Sequence, residues 1–201
     1  MREIIDHWTL RARREGYPAR SVYKLKEIDE KFGVLPPGGR ILDLGASPGS
    51  WSLFALRKMG ARGRVTAVDL NPLAAGGAAE NLDFIRGDMT SPQILDALDR
   101  AGPFDAVLSD AAPATTGNRT LDTARSELLV EGAIRIARRA LRPGGALVVK
   151  IFQGTGRESL LRDMREIFDT ARAFKPRATR RESFETYFVG LGKKEEPDGR
   201  A

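Results

Sequence analysis

The sequence predicts an α/β fold, in which a mostly parallel sheet carries helices on both faces. Short apolar runs alternate with amphipathic stretches through the middle of the chain, which is typical of parallel strands joined by crossover helices. A glycine-rich turn follows the first apolar run, and acidic residues close the next ones. The length of 201 residues suits one domain with a sizeable core. We therefore expect a single domain over residues 1–201, with residues 1–38 as a basic helical extension and residues 193–201 as a disordered tail.

About seven strands are expected, because apolar runs of strand length are bounded by glycine, proline and polar residues. The first five cover residues 40–44, 64–69, 82–86, 104–109 and 146–151. A further strand is expected near Ala173, and the last over residues 187–191.

The helical spacing of apolar residues predicts helices before the first strand and between the later strands. Residues 20–32 place Tyr23, Ile28 and Phe32 roughly on one face of a first helix. The later helices are expected over residues 50–59, 92–101, 121–141 and 158–170. Proline and glycine at residues 142–145 stop the third of these.

Composition excludes several classes of function. The chain contains no cysteine, which rules out disulfides, thiolate zinc sites, iron–sulfur clusters and cysteine nucleophiles. No stretch reaches the roughly 18 to 20 apolar residues that a membrane helix needs, and the N-terminus lacks an apolar signal core. We expect a cytoplasmic protein with no membrane partner.

The positive charge is concentrated in two segments near the ends of the chain. Lysine and arginine number 33 against 27 acidic residues, a net charge of +6, yet residues 41–156 carry 13 basic and 12 acidic side chains. The candidate contacts to a polyanion are Arg11, Arg13, Arg14 and Arg20 in the first segment, and Arg177, Arg180 and Arg181 in the second. For either segment alone, a solvated face that keeps the protein soluble is an equally good interpretation.

A glycine-rich turn over residues 45–49 joins the first strand to the next helix. Small residues there let a nucleoside approach the backbone, although the spacing matches neither a P-loop nor a dinucleotide fingerprint. Asp69, Asp88 and Asp110 follow three successive strands, where carboxylates can accept hydrogen bonds from a ribose and an adenine amino group. The set favours a nucleoside without phosphate, and S-adenosylmethionine fits that description. A tight turn with no ligand is the alternative.

A lysine closes the fifth strand, between apolar residues on both sides at Val149 and Ile151. Lysine is the cation that can yield its proton near neutrality when its surroundings disfavour the charge. A strand-end ammonium that reaches water is the alternative interpretation of Lys150. Lys24 on the first helix and Glu185 before the last strand provide candidate partners for it.

These segments resemble the FtsJ-like RNA 2′-O-methyltransferases, and within that family the RlmE group that acts on 23S ribosomal RNA. The resemblance spans nearly the whole chain. It is carried by Arg20-Ser21-Val22-Tyr23-Lys24-Leu25, Asp43-Leu44-Gly45-Ala46-Ser47-Pro48-Gly49-Ser50-Trp51, Leu108-Ser109-Asp110-Ala111-Ala112-Pro113, Val148-Val149-Lys150-Ile151-Phe152-Gln153-Gly154, Lys175-Pro176-Arg177 and Ser183-Phe184-Glu185-Thr186-Tyr187. Ser47, Ser50 and residues 114–117 depart from the family's usual pattern, which affects the loops rather than the chemistry.

The resemblance implies a Rossmann-like S-adenosylmethionine-dependent methyltransferase fold with a seven-stranded, mostly parallel sheet. The family's tetrad falls on Lys24, Asp110, Lys150 and Glu185. Lys150 is then the proton acceptor, with Lys24 as the nearby cation that favours its neutral form. The resemblance implies cofactor contacts at Gly49, Trp51, Asp69, Asp88 and Asp110, to which we add Gly45, Ser47 and Pro48 from the same turn.

The substrate implied by the resemblance is a uridine of 23S rRNA, in naked RNA or in the 50S subunit, modified by a monomer that needs no metal. A transfer RNA or a messenger cap as substrate stays open, as does a non-catalytic rRNA-binding assembly factor. A small-molecule methyltransferase would share the cofactor half but would have no reason for the two basic segments. An enzyme of phosphorylated nucleotides would need cations at the glycine-rich turn, which has none.

Overall fold

The computed structural model describes residues 7–74, 79–114, 116–154, 156–180 and 182–195, and in them seven strands form one sheet. The strands are β1 (Arg40–Leu44), β2 (Arg64–Asp69), β3 (Leu82–Arg86), β4 (Phe104–Ser109), β5 (Leu141–Phe152), β6 (Phe168–Phe174) and β7 (Glu185–Lys193). The first four have the predicted bounds. β5 begins earlier than predicted because Leu141 already pairs with Phe104, before a register shift that leads to the pair of Ala146 with Ala106.

Five of the six helices in the described residues match predicted helices except at their ends, whereas the first lies in the expected helical extension and was not predicted with bounds. They are α1 (His7–Arg14), α2 (Val22–Phe32), α3 (Ser50–Met59), α4 (Pro92–Ala101), α5 (Arg119–Ala140) and α6 (Arg157–Ile167). The prediction of a helix up to residue 170 was wrong. Phe168 is extended, with φ −113° and ψ 150°, and it starts β6 by pairing with Lys193.

The sheet has the order β3-β2-β1-β4-β5-β7-β6, and among the described strands β7 alone runs in the direction opposite to the other six. This confirms the mostly parallel sheet. From β1 the chain builds outward first through β2 and β3 and then through β4 and β5. The connections therefore diverge between β1 and β4, which opens a crevice at the carboxyl edge of the sheet.

Apolar side chains fill both faces of the sheet, as strand periodicity requires. Leu42 and Leu147 pack with α4, α5 and α6 on one face. Ile41 and Leu108 pack with α2 and α3 on the other face. The prediction of helices on both faces is therefore confirmed.

The C-terminal strand extends further than the sequence suggested. Lys193 closes β7, is buried, and donates from Nζ to the carbonyl oxygen of Leu141 at 3.1 Å. The expectation that a disordered tail starts at residue 193 was therefore wrong at that residue, and residues 196–201 lie outside the described residues. No helix in the described part of the chain is long and apolar enough to span a membrane.

Candidate active site

Gly45 shapes the turn after β1. Its φ is +71°, and a Cβ placed on it would lie 2.6 Å from the Cα of Ala111, the second residue after β4. Its N–H donates to the carbonyl oxygen of Val68 at 2.9 Å. Glycine is needed here because only a residue without a side chain allows both the left-handed backbone and this close approach.

A cavity of about 360 Å³ opens beside this turn, at the carboxyl edge of the sheet. Five of the residues predicted to bind the cofactor line it, namely Gly45, Ser47, Asp69, Asp88 and Asp110. The rest of the wall consists of Val68, Leu70, Asn71, Gly87, Met89, Ala111, Ala112 and Leu129. None of these described lining residues is basic. Sequence reasoning missed the apolar part of the wall, although Leu70 and Met89 each directly follow a predicted aspartate and could have been found there.

Asp69 and Asp88 have different roles in this wall. Asp69 accepts from the backbone N–H of Ser47 at 2.9 Å and of Asn71 at 2.7 Å, which ties the turn after β1 to the turn after β2. Asp88 accepts from the N–H of Thr90 at 2.8 Å and from its hydroxyl at 2.7 Å. These bonds, the backbone one first, lower the pKa of Asp88, so that it is an ionised acceptor at the cavity wall.

The structure places three of the predicted cofactor contacts outside this cavity. Pro48 and Gly49 border a separate groove, which Tyr17 also lines. Trp51 is buried, and its indole N–H donates to the carbonyl oxygen of Ser21 at 2.9 Å, which fastens α3 to the start of α2. Cofactor contacts at these three residues stay predictions.

Lys150 and Asp110 form an ion pair at the inner end of the crevice. The Nζ atom of Lys150 lies 3.0 Å from Oδ1 of Asp110 and donates to its carbonyl oxygen at 2.5 Å. The sheet register explains the contact, because Ser109 pairs with Val149 and each is followed by one member of the pair. Lys150 is only 8 % exposed, so this contact is shielded from water.

Tyr187 completes the surroundings of Asp110. It pairs with Lys150 across the antiparallel ladder of β5 and β7, and its hydroxyl donates to Oδ1 of Asp110 at 2.7 Å. Burial by itself raises the pKa of Asp110, but the charges of Lys150 and Lys24 and the bond from Tyr187 outweigh it and lower that pKa. Burial and the nearby carboxylate of Asp110 raise the pKa of Tyr187 well above its usual value, so its hydroxyl keeps the proton it donates.

Lys24 and Glu185 form a second ion pair next to the first. Their charged atoms lie 2.5 Å apart, and both side chains are largely buried. The Nζ atom of Lys24 lies 6.0 Å from the ring centroid of Tyr187, which therefore stands between the two pairs. The four residues of the predicted tetrad are thus brought together as two neighbouring ion pairs.

A second cavity, of about 420 Å³, opens on the other side of the tetrad. Lys24 and Glu185 line it, whereas Asp110 lines the first cavity. The remaining wall residues are Ala19, Arg20, Ser21, Arg180, Glu182 and Ser183. The tetrad therefore lies between one cavity with acidic and apolar walls and another whose wall holds three basic and two acidic residues.

Two of the predicted arginines line the second cavity, and a third lies on the same loop as one of them. Arg20 and Arg180 line it. The side chain of Arg177 is 93 % exposed and projects from the same loop as Arg180. Arg181 lies outside the described residues.

The other three predicted arginines lie on α1, further from the tetrad. Arg11 pairs with Glu15 at 2.7 Å and shares a hollow with Arg177. Arg13 and Arg14 are exposed, and Arg13 borders the separate groove beside Pro48. The structure thus joins the two basic segments only in part.

Glu27 holds the two basic segments together. Its carboxylate accepts from the backbone N–H groups of Arg177 and Ala178, both at 2.8 Å. The guanidinium of Arg20 donates to the carbonyl oxygen of Ala178 at 2.5 Å. Sequence reasoning missed this contact, because it joins residues 150 positions apart and no local pattern marks it.

The fold and the first cavity define a class of protein. Carboxylates at successive strand ends suit the hydroxyl and amino groups of an adenosine, and apolar walls at Leu70 and Met89 suit its base. The absence of basic residues from the described wall favours a nucleoside without phosphate. The chain is a Rossmann-like methyltransferase that uses S-adenosylmethionine, as the sequence predicted.

Comparison with known proteins supports the same class of protein. Residues 17–193 match the model of the FtsJ-like methyltransferases. The chain is 53 % identical over 186 residues to ribosomal RNA large subunit methyltransferase E of Treponema denticola, covering 92 % of this chain and 94 % of the relative. It is 48 % identical over 200 residues to the protein of that name from Oleidesulfovibrio alaskensis, covering 98 % and 96 %. The chain belongs to the FtsJ-like methyltransferase family.

Solved structures show the same fold. A ribosomal RNA methyltransferase from Plasmodium falciparum superposes with a TM-score of 0.77 at 25 % identity, covering 90 % of this chain and all of the other. Fibrillarin of Aeropyrum pernix, solved with natively bound S-adenosyl-L-methionine, gives a TM-score of 0.59 at 16 % identity, covering 85 % of this chain and 76 % of the other.

Proposed function

We propose that this protein methylates the 2′-hydroxyl of a ribose in large-subunit ribosomal RNA, most specifically a uridine of 23S rRNA. The observation that carries the proposal is the position of the two ion pairs between the two cavities. The relatives at 53 % and 48 % identity carry the name of a large-subunit rRNA methyltransferase, which supports RNA as the substrate. Such an enzyme works where ribosomes are made, in the cytoplasm.

Asp69 and Asp88 would hold the adenosine part of S-adenosylmethionine, with Leu70 and Met89 against its base. When bound, this cofactor supplies an activated methyl group on a sulfonium, whose sulfur becomes a neutral thioether as the methyl group is transferred. The protein therefore has to align the acceptor hydroxyl and to remove its proton. Alignment can contribute roughly 7 to 11 kcal/mol to the lowering of the barrier.

Lys150 is the group that takes the proton from the 2′-hydroxyl to its Nζ atom. It must first lose a proton of its own, because an ammonium has no lone pair with which to accept one. Its position supports this role, since it lies in contact with Asp110, a residue that also lines the cofactor cavity. General bases of this kind typically contribute a factor of about 10² to 10⁴ in rate.

The other members of the tetrad position Lys150 and the ribose. The carboxylate and carbonyl oxygens of Asp110 both hold Nζ of Lys150 in place. The hydroxyl of Tyr187 in turn holds the carboxylate of Asp110. Glu185 neutralises and orients Lys24, which lines the second cavity. This arrangement leaves Lys24 suited to contact the ribose hydroxyls or the adjacent phosphate of an acceptor nucleotide.

The RNA backbone would follow the arginines around the second cavity. Arg20 and Arg180 line that cavity, and the exposed guanidinium of Arg177 extends the basic surface away from it. Arg11, Arg13, Arg14 and Arg181 are proposed as outer contacts. Arginine suits such contacts because its planar fork binds phosphate oxygens in pairs.

The substrate can be identified by incubating the wild-type protein with labelled S-adenosylmethionine and, separately, 50S subunits, naked 23S rRNA and transfer RNA. We expect label in 23S rRNA, as a single 2′-O-methyluridine found by nuclease mapping. Label in transfer RNA alone would overturn the ribosomal substrate. Binding of rRNA without any transfer of label would favour a non-catalytic assembly factor.

A further inference from the structure

The N-terminal half of α5 contacts all three chain segments that carry Asp110, Lys150 and Glu185. Its buried polar residues Asp122, Thr123 and Ser126 face these segments rather than apolar core. Buried polar groups are costly unless they are hydrogen-bonded, so a polar face on a helix of this length needs an explanation.

The first contact holds the loop that follows Asp110. Asp122 accepts from the backbone N–H of Thr116 at 2.8 Å and from its hydroxyl at 2.9 Å, and from the N–H of Gly117 at 3.2 Å. These bonds, the backbone one from Thr116 first, lower the pKa of Asp122, so it remains an anion. One carboxylate thus closes the loop between β4 and α5.

The second contact holds the segment that follows Lys150. Ser126 accepts from the N–H of Phe152 at 3.0 Å, and Glu127 accepts from the N–H of Gly156 at 2.8 Å. The two glycines of this segment fit closely against the helix. A Cβ on Gly154 would lie 2.0 Å from Cγ2 of Thr123, and one on Gly156 would lie 2.6 Å from Cδ of Glu127. The Phe-Gln-Gly sequence after Lys150 therefore has a packing reason.

The third contact continues from that segment to Glu185. The N–H of Gln153 donates to the carbonyl oxygen of Phe184 at 2.9 Å. The rings of Phe152 and Phe184 pack edge to face, with centroids 4.8 Å apart. The guanidinium of Arg119, at the start of α5, lies 5.3 Å from the ring centroid of Phe184.

We infer that Glu127 is a positioning residue for methyl transfer, acting through the segment after β5 on Lys150 and Glu185. Asp122 and Ser126 act in the same way on Asp110 and Phe152. The inference rests on the proposed function, in which these tetrad members carry the chemistry. A misplacement of about 1 Å at reacting groups can cost a factor of 10² in rate, so a helix that fixes three catalytic segments at once has a large effect.

The test compares Glu127→Ala with Glu127→Gln and with Glu131→Ala, which removes an exposed carboxylate one turn further along α5. The amide oxygen of Gln can still accept from Gly156. We expect Glu127→Ala to lower the kcat for methylation of the substrate RNA by at least about tenfold. The KM for RNA and the Kd for S-adenosylmethionine should stay within about twofold of wild type. Glu127→Gln should recover most of the kcat, and Glu131→Ala should match wild type.

Hydrogen exchange in the segment after Phe152 provides a readout that does not depend on catalysis. Glu127→Ala should speed exchange there, and Glu131→Ala should not. Unchanged exchange, a kcat equal to that of Glu131→Ala, or an equal loss in Glu127→Gln would overturn the positioning role. If the wild-type protein transfers no methyl group to RNA, the proposed function fails, and the exchange comparison still decides whether Glu127 fixes this segment.

Discussion

Tyr187 and Lys150 converge on one oxygen of Asp110. The hydroxyl of Tyr187 lies 2.7 Å from Oδ1 of Asp110, and Nζ of Lys150 lies 3.0 Å from the same atom. The two residues face each other across the ladder of β5 and β7, so an antiparallel strand pair delivers both groups to a carboxylate at the end of β4. The carboxylate is thereby held in one orientation from two sides.

Replacement of Tyr187 by Phe removes one of these two contacts and leaves the ring in place. A hydrogen bond to a charged group contributes about 1.5 to 3 kcal/mol, so we expect a loss of that order in the free energy of unfolding and a kcat about tenfold lower. Urea unfolding and single-turnover methylation measure the two effects. Tyr17→Phe, outside the tetrad, is the control; equal kcat values for the two variants would contradict a positioning role for Tyr187.

Asp43 makes stability depend on pH. Burial raises its pKa to about 7 from 3.8, with Asp110 and Asp69 adding to the shift and a hydrogen bond from Ser52 opposing it. Between pH 4 and pH 7 the carboxyl group of Asp43 keeps its proton in the folded state and loses it in the unfolded state. The free energy of unfolding should therefore fall as pH rises through that window, by up to about 4 kcal/mol, and level off above it.

The variant Asp43→Asn has no proton to lose, so its unfolding free energy should change less between pH 5 and pH 8 than that of the wild type. Urea unfolding at both pH values measures this, and the difference between the two proteins cancels other titrating groups. Parallel curves for the two proteins would show that Asp43 is already ionised in the folded state at pH 5.

Glu27 should affect the affinity for RNA and leave the affinity for the cofactor unchanged. Glu27→Ala releases the N–H groups of Arg177 and Ala178, and with them the loop that carries Arg177 and Arg180, of which Arg180 lines the second cavity. We expect RNA affinity to fall roughly tenfold, which corresponds to about 1.4 kcal/mol, with an unchanged Kd for S-adenosylmethionine. Fluorescence anisotropy and calorimetry measure the two constants. Glu30→Ala, on the same helix and exposed, is the control, and equal RNA affinity in both variants would disprove the role of Glu27.

The positive charge of Arg177 should contribute to RNA binding. If its exposed guanidinium contacts one phosphate, Arg177→Ala lowers the slope of log K against log salt concentration by about 0.7 to 0.9. Arg138→Ala, an exposed arginine near the C-terminal end of α5, should leave the slope unchanged. A salt titration of RNA binding distinguishes these outcomes, and identical slopes would place Arg177 outside the RNA interface.

Much of the fold could be predicted from local patterns, but some helix and strand ends could not. β1 to β4 have the predicted bounds because each is a short apolar run between turn residues. The end of α6 was missed because Phe168 continues the apolar spacing of the helix while its backbone is already extended.

The candidate site divides in the same way. Asp69, Asp88 and Asp110 are recognisable because they stand at or just after the ends of strands, and the cavity does lie there. The bond of Tyr187 to Asp110, the carboxylate of Glu27 on the loop at Arg177, and the contact of Glu127 with Gly156 join residues distant in sequence. The bond of Tyr187 depends on the antiparallel insertion of β7 between β5 and β6, which no spacing within one segment reveals.

Lys150 takes the proton of the 2′-hydroxyl in the proposed 2′-O-methylation. Single-turnover transfer from labelled S-adenosylmethionine to 50S subunits, at saturating enzyme and cofactor, compares the wild type with Lys150→Ala and reads out 2′-O-methyluridine directly. We predict a loss of about 10² to 10⁴ in rate for Lys150→Ala, with cofactor and RNA binding retained. A rate for Lys150→Ala close to that of the wild type would contradict the account.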